Sequence, residues 1–336
     1  MSKLSLIKVE FAKYALLPRP SIADHRNMLL NPVFPSSSRA LREQLVTLAD
    51  ALAPAPGYNA TLLDAVRILR TETVLNDVPV LYKPGAVFVL QGSKTGMLEN
   101  ELYLYDEEHY LAVALPVPFR MQSEASPSRP LLAIYVEFDR QTAADIVMQI
   151  ERHAQLPSHR PRGLVSSKTA PDVQSLLLRL LTALGKPAEA AVLGSALLRE
   201  LHYRVLIGPQ GGALVAALQQ KGVAGRVVRS LTWLRENYST KIALADLAKA
   251  SGMSVSSYHI HFREVTGSSP IQYLKAMRLH EARLMIAGQH RTIADVAAQV
   301  GYASTAQFSR DFKRHFGRTA SEEVKWVRRH LGEEMR

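Results

Sequence analysis

The spacing of apolar positions predicts a strand-rich segment with helical segments on either side. Leucines at helical spacing predict a helix over residues 38–53. Apolar, β-prone runs predict strands at 85–91, 102–105, 110–115 and 131–138. We expect a turn at 92–96 and proline-broken loops at 116–130 and 155–171. Short strands at this spacing favour an antiparallel sandwich or barrel.

From residue 141 the apolar period becomes helical and stays helical to the end of the chain. The predicted helix 172–184 is apolar over much of its circumference, which admits two interpretations, an internal packing helix or a self-association surface. Five glycines between residues 208 and 225 indicate a boundary. We predict four divisions. They are an N-terminal helical or irregular segment (1–60), a β domain with a helical pair (61–207), a linker (208–225) and an all-α domain (226–330).

The C-terminal segment contains an internal repeat. Residues 246–270 match residues 295–320 at an offset of 49 as far as Gly252 and Gly301, and at an offset of 50 beyond them. Each copy has the parts of a helix-turn-helix, namely a short helix of small residues, a glycine for a tight turn, a capping serine and an aromatic pair at i, i+4. The caps and pairs are Ser254 with Tyr258 and Phe262, and Ser304 with Phe308 and Phe312. A long helix from Pro270 joins the copies, so that two recognition helices about 34 Å apart could enter successive major grooves.

The net charge is concentrated in the same third of the chain. The chain of 336 residues has a net charge of +11, of which residues 223–336 supply +8. The concentrated positive charge favours a polyanionic partner. Nucleic acid is the favoured partner, and an anionic membrane is the next candidate. The absence of cysteine excludes disulfides, thiolate metal sites and a cysteine nucleophile. Because Lys8, Glu10 and Lys13 interrupt the apolar N-terminus and no run of about 20 apolar residues occurs, we expect a cytoplasmic protein without a membrane span.

Two stretches of the C-terminal segment carry a family resemblance. They are Gly267-Ser268-Ser269-Pro270, followed by Arg278-Leu279 and Ala282-Arg283, and Gly301-Tyr302 through Phe308-Ser309-Arg310 to Phe316-Gly317. The segment from about Gly225 to Arg329 resembles the DNA-binding domain of the AraC/XylS family of transcriptional regulators. Residues 67–139 resemble the cupin-like N-terminal domain of one subgroup of this family. The residues that carry this resemblance are Leu81-Tyr82-Lys83-Pro84, Leu90 to Lys94 and Glu124 to Pro127. The resemblance implies an α+β chain, with a cupin-like antiparallel β sensor and helical dimerisation domain and an all-α double helix-turn-helix domain.

The resemblance also implies which side chains face DNA. Those facing base edges are Ser256, Ser257, His259, Ile260, Thr305, Ala306 and Arg310. The fork of Arg310 can bond to guanine O6 and N7, which is worth about 1–3 kcal/mol of discrimination. Thr305 and Ala306 could meet thymine methyl groups. Arg263, Arg278 and Lys313 are expected to contact phosphates.

The expected partners are double-stranded DNA, a small-molecule effector of unknown identity, a second copy of the chain and, for an activator, RNA polymerase. We expect no enzymatic activity, cofactor or metal. His259 and His261 point to different faces of a helix, and the strand-rich segment holds one histidine, His109. Two alternatives stay open at this point, a cupin-type enzyme with a DNA-binding appendage and an architectural DNA binder without an effector.

Overall fold

The computed structural model describes residues 36–99, 101–153, 162–219, 222–288 and 292–330. Leu41–Arg336 form one compact unit. The predictions made for residues 1–35, including the one that rests on Lys8, Glu10 and Lys13, lie outside the described residues. The predicted order of an antiparallel β domain followed by a helical C-terminal domain is confirmed.

Ten described strands form two sheets in which every pair is antiparallel. The strands are β1 (Gly57–Ala60), β2 (Val66–Thr71), β3 (Leu75–Leu81), β4 (Gly85–Gln91), β5 (Ser93–Leu98), β6 (Glu101–Asp106), β7 (His109–Val113), β8 (Pro118–Glu124), β9 (Leu131–Glu137) and β10 (Leu164–Lys168). One sheet has the order β1-β2-β9-β4-β7-β10 and the other has the order β3-β8-β5-β6. Strands β4 and β9 pair at the centre of the larger sheet and are buried along almost their whole length. Their sequences are therefore almost continuous apolar runs.

Three strands lie where a turn or loops were predicted, and those predictions are wrong. The predicted turn at 92–96 belongs largely to β5, whose inward positions are Lys94 and Gly96, so that no apolar alternation marks it. A side chain at Gly96 would place its Cβ 2.9 Å from the Phe119 ring, so any larger residue there would force that ring to move. Strand β8 begins at Pro118, a position that tolerates the missing N–H. Strand β10 lies inside the predicted loop 155–171.

Twelve described helices surround and follow the sheets. They are α1 (Ser36–Leu52), α2 (Arg140–Glu151), α3 (Pro171–Leu184), α4 (Pro187–Ile207), α5 (Gly211–Gln219), α6 (Gly222–Asn237), α7 (Leu244–Ala250), α8 (Val255–Thr266), α9 (Pro270–Gly288), α10 (Ile293–Gln299), α11 (Thr305–Phe316) and α12 (Ala320–His330). None of the helices in the described ranges is both long and apolar enough to cross a bilayer.

The structure decides one open alternative and alters one expectation. Seven residues of α3, including Leu176, Leu180 and Leu184, are buried within the chain, so α3 is an internal packing helix. The segment 208–225, predicted as a linker, is mostly helical because it contains α5 and the start of α6. The domain boundaries themselves stay predictions.

Candidate nucleic-acid interface

The first helix-turn-helix consists of α7 and α8. Gly252 in the turn has φ of +61°, a left-handed conformation that glycine adopts at little cost. The Ser254 side chain caps α8 by accepting a hydrogen bond from the Ser257 amide at 3.2 Å. Tyr258 and Phe262 are fully buried, with ring centroids 5.5 Å apart. The caps and the buried rings fix the angle at which α8 presents its outer face.

The second helix-turn-helix, α10 and α11, repeats this construction. The Thr292 hydroxyl accepts a hydrogen bond from the Asp295 amide at 3.1 Å and so caps α10. Gly301 has φ of +84° in the turn, and Ser304 caps α11. Phe308 and Phe312 are fully buried, with centroids 5.4 Å apart.

Helix α9 joins the two units by packing into both of their cores. Tyr273 and Met277 are buried in the core that contains Tyr258 and Phe262. Leu279, Ala282 and Ile286 are buried in the core that contains Phe308 and Phe312. Since one continuous helix supplies both sets of contacts, the separation of α8 and α11 is set by α9.

A buried histidine pair lies between α9 and α11. The Nε2 atoms of His280 and His315 are 3.3 Å apart, and the His315 ring is 4.7 Å from that of Phe316. Burial lowers the pKa of His315 to about 4, and it lowers the pKa of His280 well below its ordinary value. Both rings are therefore neutral at physiological pH.

The side chains predicted to face base edges lie on the outer faces of α8 and α11. Thr305, Ala306 and Arg310 are exposed near the start and middle of α11. On α8, Ser256 and Ile260 are exposed, with Ile260 59% accessible, whereas Ser257 and His259 are half-buried. The predicted residues thus lie at exposed or half-buried positions of the two helices, while the role of each residue stays a prediction.

The three predicted phosphate contacts differ in their surroundings. Lys313 is exposed on α11. The Arg263 guanidinium pairs with the Glu99 carboxylate at 2.7 Å. Arg278 donates to the backbone carbonyls of Tyr238 and Thr240, each at 2.7 Å, and burial lowers its pKa. Arg278 therefore ties α9 to the end of α6, in addition to its predicted role.

The β domain contacts the helix-turn-helix units directly. Besides the Glu99–Arg263 pair, the Tyr273 hydroxyl donates to the Pro116 carbonyl at 2.6 Å in a buried hydrogen bond. The Arg120 guanidinium donates to the His315 carbonyl at 3.3 Å. The chain thus links its β domain to α8, α9 and α11 through specific polar contacts.

Two family models match the chain over these same regions. Residues 62–213 match the model described as the AraC-type transcriptional regulator N-terminus, and residues 247–325 match a helix-turn-helix domain. The chain belongs to the AraC family.

Curated relatives match only part of the chain. The transcriptional activator RhaS of Yersinia pestis (strain Pestoides F) is 30% identical over 95 residues, which are 28% of this chain and 35% of RhaS. The transcriptional regulator ExsA of Pseudomonas aeruginosa is 27% identical over 125 residues, which are 37% of this chain and 44% of ExsA. The chain thus matches less than half the length of these relatives.

Solved structures of Vibrio cholerae ToxT share the fold of both domains. An apo form of a ToxT point variant from strain SCE256 has a TM-score of 0.54 at 12% identity, covering 78% of this chain and 97% of ToxT. ToxT of strain O395 bound to (E)-4-(8-methylnaphthalen-1-yl)but-3-enoic acid has a TM-score of 0.50 at 12% identity, covering 78% of this chain and 98% of ToxT.

The structure adds two exposed polar side chains on α11 that the sequence analysis did not select. Gln307 and Arg314 are exposed and lie at i−3 and i+4 from Arg310, on the same face of α11. The Arg314 guanidinium also pairs with the Asp311 carboxylate at 2.6 Å. Helical spacing from Arg310 was the signal that could have found them.

Proposed function

We propose that this protein is a sequence-specific, DNA-binding transcriptional regulator. The observation that carries the proposal is a pair of capped, aromatic-anchored helices with exposed polar faces, joined by one helix in the basic third of the chain. Basic side chains supply salt-dependent affinity, and the exposed side chains of α8 and α11 supply sequence readout. Membership of the AraC family and the similarity to RhaS and ExsA support this function.

In this proposal Arg310 discriminates guanine, and Thr305 and Ala306 contact thymine methyl groups. The first copy is the less selective reader, because its exposed residues are small or apolar. Lys313 on α11 contacts phosphate, and Arg263 does so when it is released from Glu99.

The β domain is proposed to sense a small molecule. It contacts α8, α9 and α11, so a ligand bound there can alter the DNA-binding units. ToxT has the same fold, and its complex with a small organic acid supports a ligand-responsive domain of this kind.

We further propose that the regulator is a homodimer. Helix α4 carries an outward row of apolar side chains, Val192, Ala196, Tyr203 and Ile207, of which Val192 is 75% exposed. These positions follow one face of the helix, so a second copy could cover them. The protein would act in the cytoplasm and, as an activator, would contact RNA polymerase.

The test uses full-length protein and a site selected from a random duplex pool. Arg310→Ala should lower affinity and relax selectivity at one or two base pairs, by about 1–3 kcal/mol. Arg310→Lys keeps the charge but loses the planar fork, so it should lose the same selectivity. The control is Arg179→Ala, which removes an exposed arginine of α3. Unchanged selectivity in both Arg310 variants would contradict the assigned role.

A further inference from the structure

The outward face of α8 has a large apolar side chain, Ile260, at its centre. The buried residues of the helix are Tyr258, Phe262, Val265 and Thr266. With about 3.6 residues in each helical turn, Ile260 lies about 180° from the middle of that buried face. It is 59% exposed. A single exposed apolar residue is ordinary on a protein surface, so its meaning depends on what its position does.

The internal repeat shows which position this is. At the offset of 50 residues Ile260 matches Arg310, and each lies two residues before the second buried aromatic of its helix. Helices α8 and α11 both have 12 residues, and both begin after a capping serine. The isoleucine and the arginine therefore occupy equivalent places on equivalent helices, and the place on α11 is the one proposed to read guanine.

The positions next to Ile260 on this face are short or already paired. Ser256 and Ser257, one turn before it, carry only a hydroxyl group. Arg263, one turn after it, pairs through its guanidinium with the Glu99 carboxylate at 2.7 Å. The face of α8 around Ile260 is therefore poor in long side chains free to bond to a base edge.

The charge of the two outward faces differs as well. Glu264 of α8 matches Arg314 of α11 at the same offset. The Glu264 carboxylate lies 2.9 Å from the His261 Nδ1 atom, and its side chain is 63% exposed. Where α11 has two arginines, α8 thus has an isoleucine and a carboxylate, so the two helices differ in the base pairs that they prefer.

Thymine carries the one apolar group that base edges present in the major groove, its C5 methyl group. An isoleucine has no donor or acceptor, so beside another base it would leave polar groups without a partner. We propose that Ile260 packs against thymine methyl groups, so that α8 selects thymine in the element of the site that it contacts. This inference rests on the proposed function. It makes the site asymmetric, with guanine read by Arg310 in one element and thymine read by Ile260 in the other.

The first experiment uses the full chain and the duplex that selection from a random pool enriches. The element contacted by α8 is the one whose sequence preference Arg310→Ala leaves intact. Each thymine of that element is replaced in turn by deoxyuridine, which keeps the base pair and removes only the methyl group. Affinity, measured by fluorescence anisotropy, should fall about fourfold at one or two positions, as expected for one buried methyl group.

The variant Ile260→Ala should bind the thymine and deoxyuridine duplexes alike, because the side chain that meets the methyl group is gone. Urea denaturation should show unchanged stability, since the substituted residue is exposed. The matched control is Ile271→Ala, at an isoleucine of α9 that is 54% exposed, and it should keep the fourfold preference. The proposal is overturned if no deoxyuridine lowers the affinity, or if Ile260→Ala keeps the preference for thymine.

The second experiment gives α8 the residue that α11 has. Selection repeated with Ile260→Arg should replace thymine by guanine at one position of the same element, whereas retention of thymine there would overturn the proposal. A selection that enriches no sequence with the unaltered protein refutes the proposed function and this inference together. An enriched site that is indifferent to deoxyuridine refutes only this inference and leaves the regulator.

Discussion

The ion pair between Arg283 and Glu323 holds the second DNA-binding unit together, and its strength can be worked out from the structure. The Arg283 Nη2 and Glu323 Oε1 atoms are 2.6 Å apart, and both side chains are 3% exposed. The pair joins α9 to α12, and the guanidinium carbon lies 5.0 Å from the centre of the Phe316 ring. Glu323→Gln removes one charge with almost no change in shape.

Breaking a buried pair on one side leaves the other charge without compensation, which costs about 3–5 kcal/mol. The ratio of folded to unfolded protein should therefore fall by about two to four orders of magnitude. Urea denaturation of the full chain measures this change in the free energy of unfolding. Arg318 also pairs with Glu323, at 3.2 Å, but its side chain is 30% exposed and is solvated when that partner is lost. Because a hydrophobic replacement of the two buried partners avoids an unpaired buried charge, Arg283→Met combined with Glu323→Leu should recover most of the loss.

The matched control is Glu322→Gln, one residue earlier on α12. The Glu322 carboxylate is exposed and accepts a hydrogen bond from the Thr319 amide at 2.8 Å, which a glutamine can still accept. Its effect should be much smaller than that of Glu323→Gln. Equal effects of the two substitutions would refute the reasoning, because they would show that the buried charge is not paired as the structure has it.

Three further predictions concern the second helix-turn-helix. Gly301→Ala should destabilise the protein by about 1–3 kcal/mol in urea denaturation, because φ is +84° and the new Cβ would lie 2.6 Å from the Ser239 carbonyl oxygen; an unchanged midpoint would contradict this. Ser304→Ala should cost about 1 kcal/mol through loss of the α11 cap, and Ser304→Gly should cost less. Because the pKa of His315 falls to about 4 on folding, the unfolded chain binds its proton first as the pH is lowered. Stability should therefore fall from about pH 6.5 towards pH 4, by at most about 3 kcal/mol from this group, and an equally steep profile in His315→Gln would contradict that.

Local sequence signals were sufficient for the helix-turn-helix units. The caps at Ser254 and Ser304 are confirmed because a cap depends on residues only three positions apart. The turn glycines, Gly252 and Gly301, have the positive φ that the predicted turns require. The exposure of Arg310 followed from the burial of the aromatic pair on the opposite face of the same helix.

The β domain was harder to predict, because three of its strands, β5, β8 and β10, lie where a turn or loops were predicted. The inward positions of β5 are Lys94 and Gly96, and no apolar alternation distinguishes such a strand from a turn. Contacts between residues distant in sequence could not be predicted either. An example is the ion pair of Glu99 and Arg263, which are 164 residues apart.

The central claim is that two recognition helices, spaced by α9, read one side of a duplex. Selection of bound DNA by the full-length protein from a random duplex pool at moderate salt tests it most directly. The account predicts an enriched bipartite site with two elements about 10–10.5 base pairs apart, centre to centre. A pool that shows no enriched sequence after selection, while the protein still binds DNA, would contradict the claim.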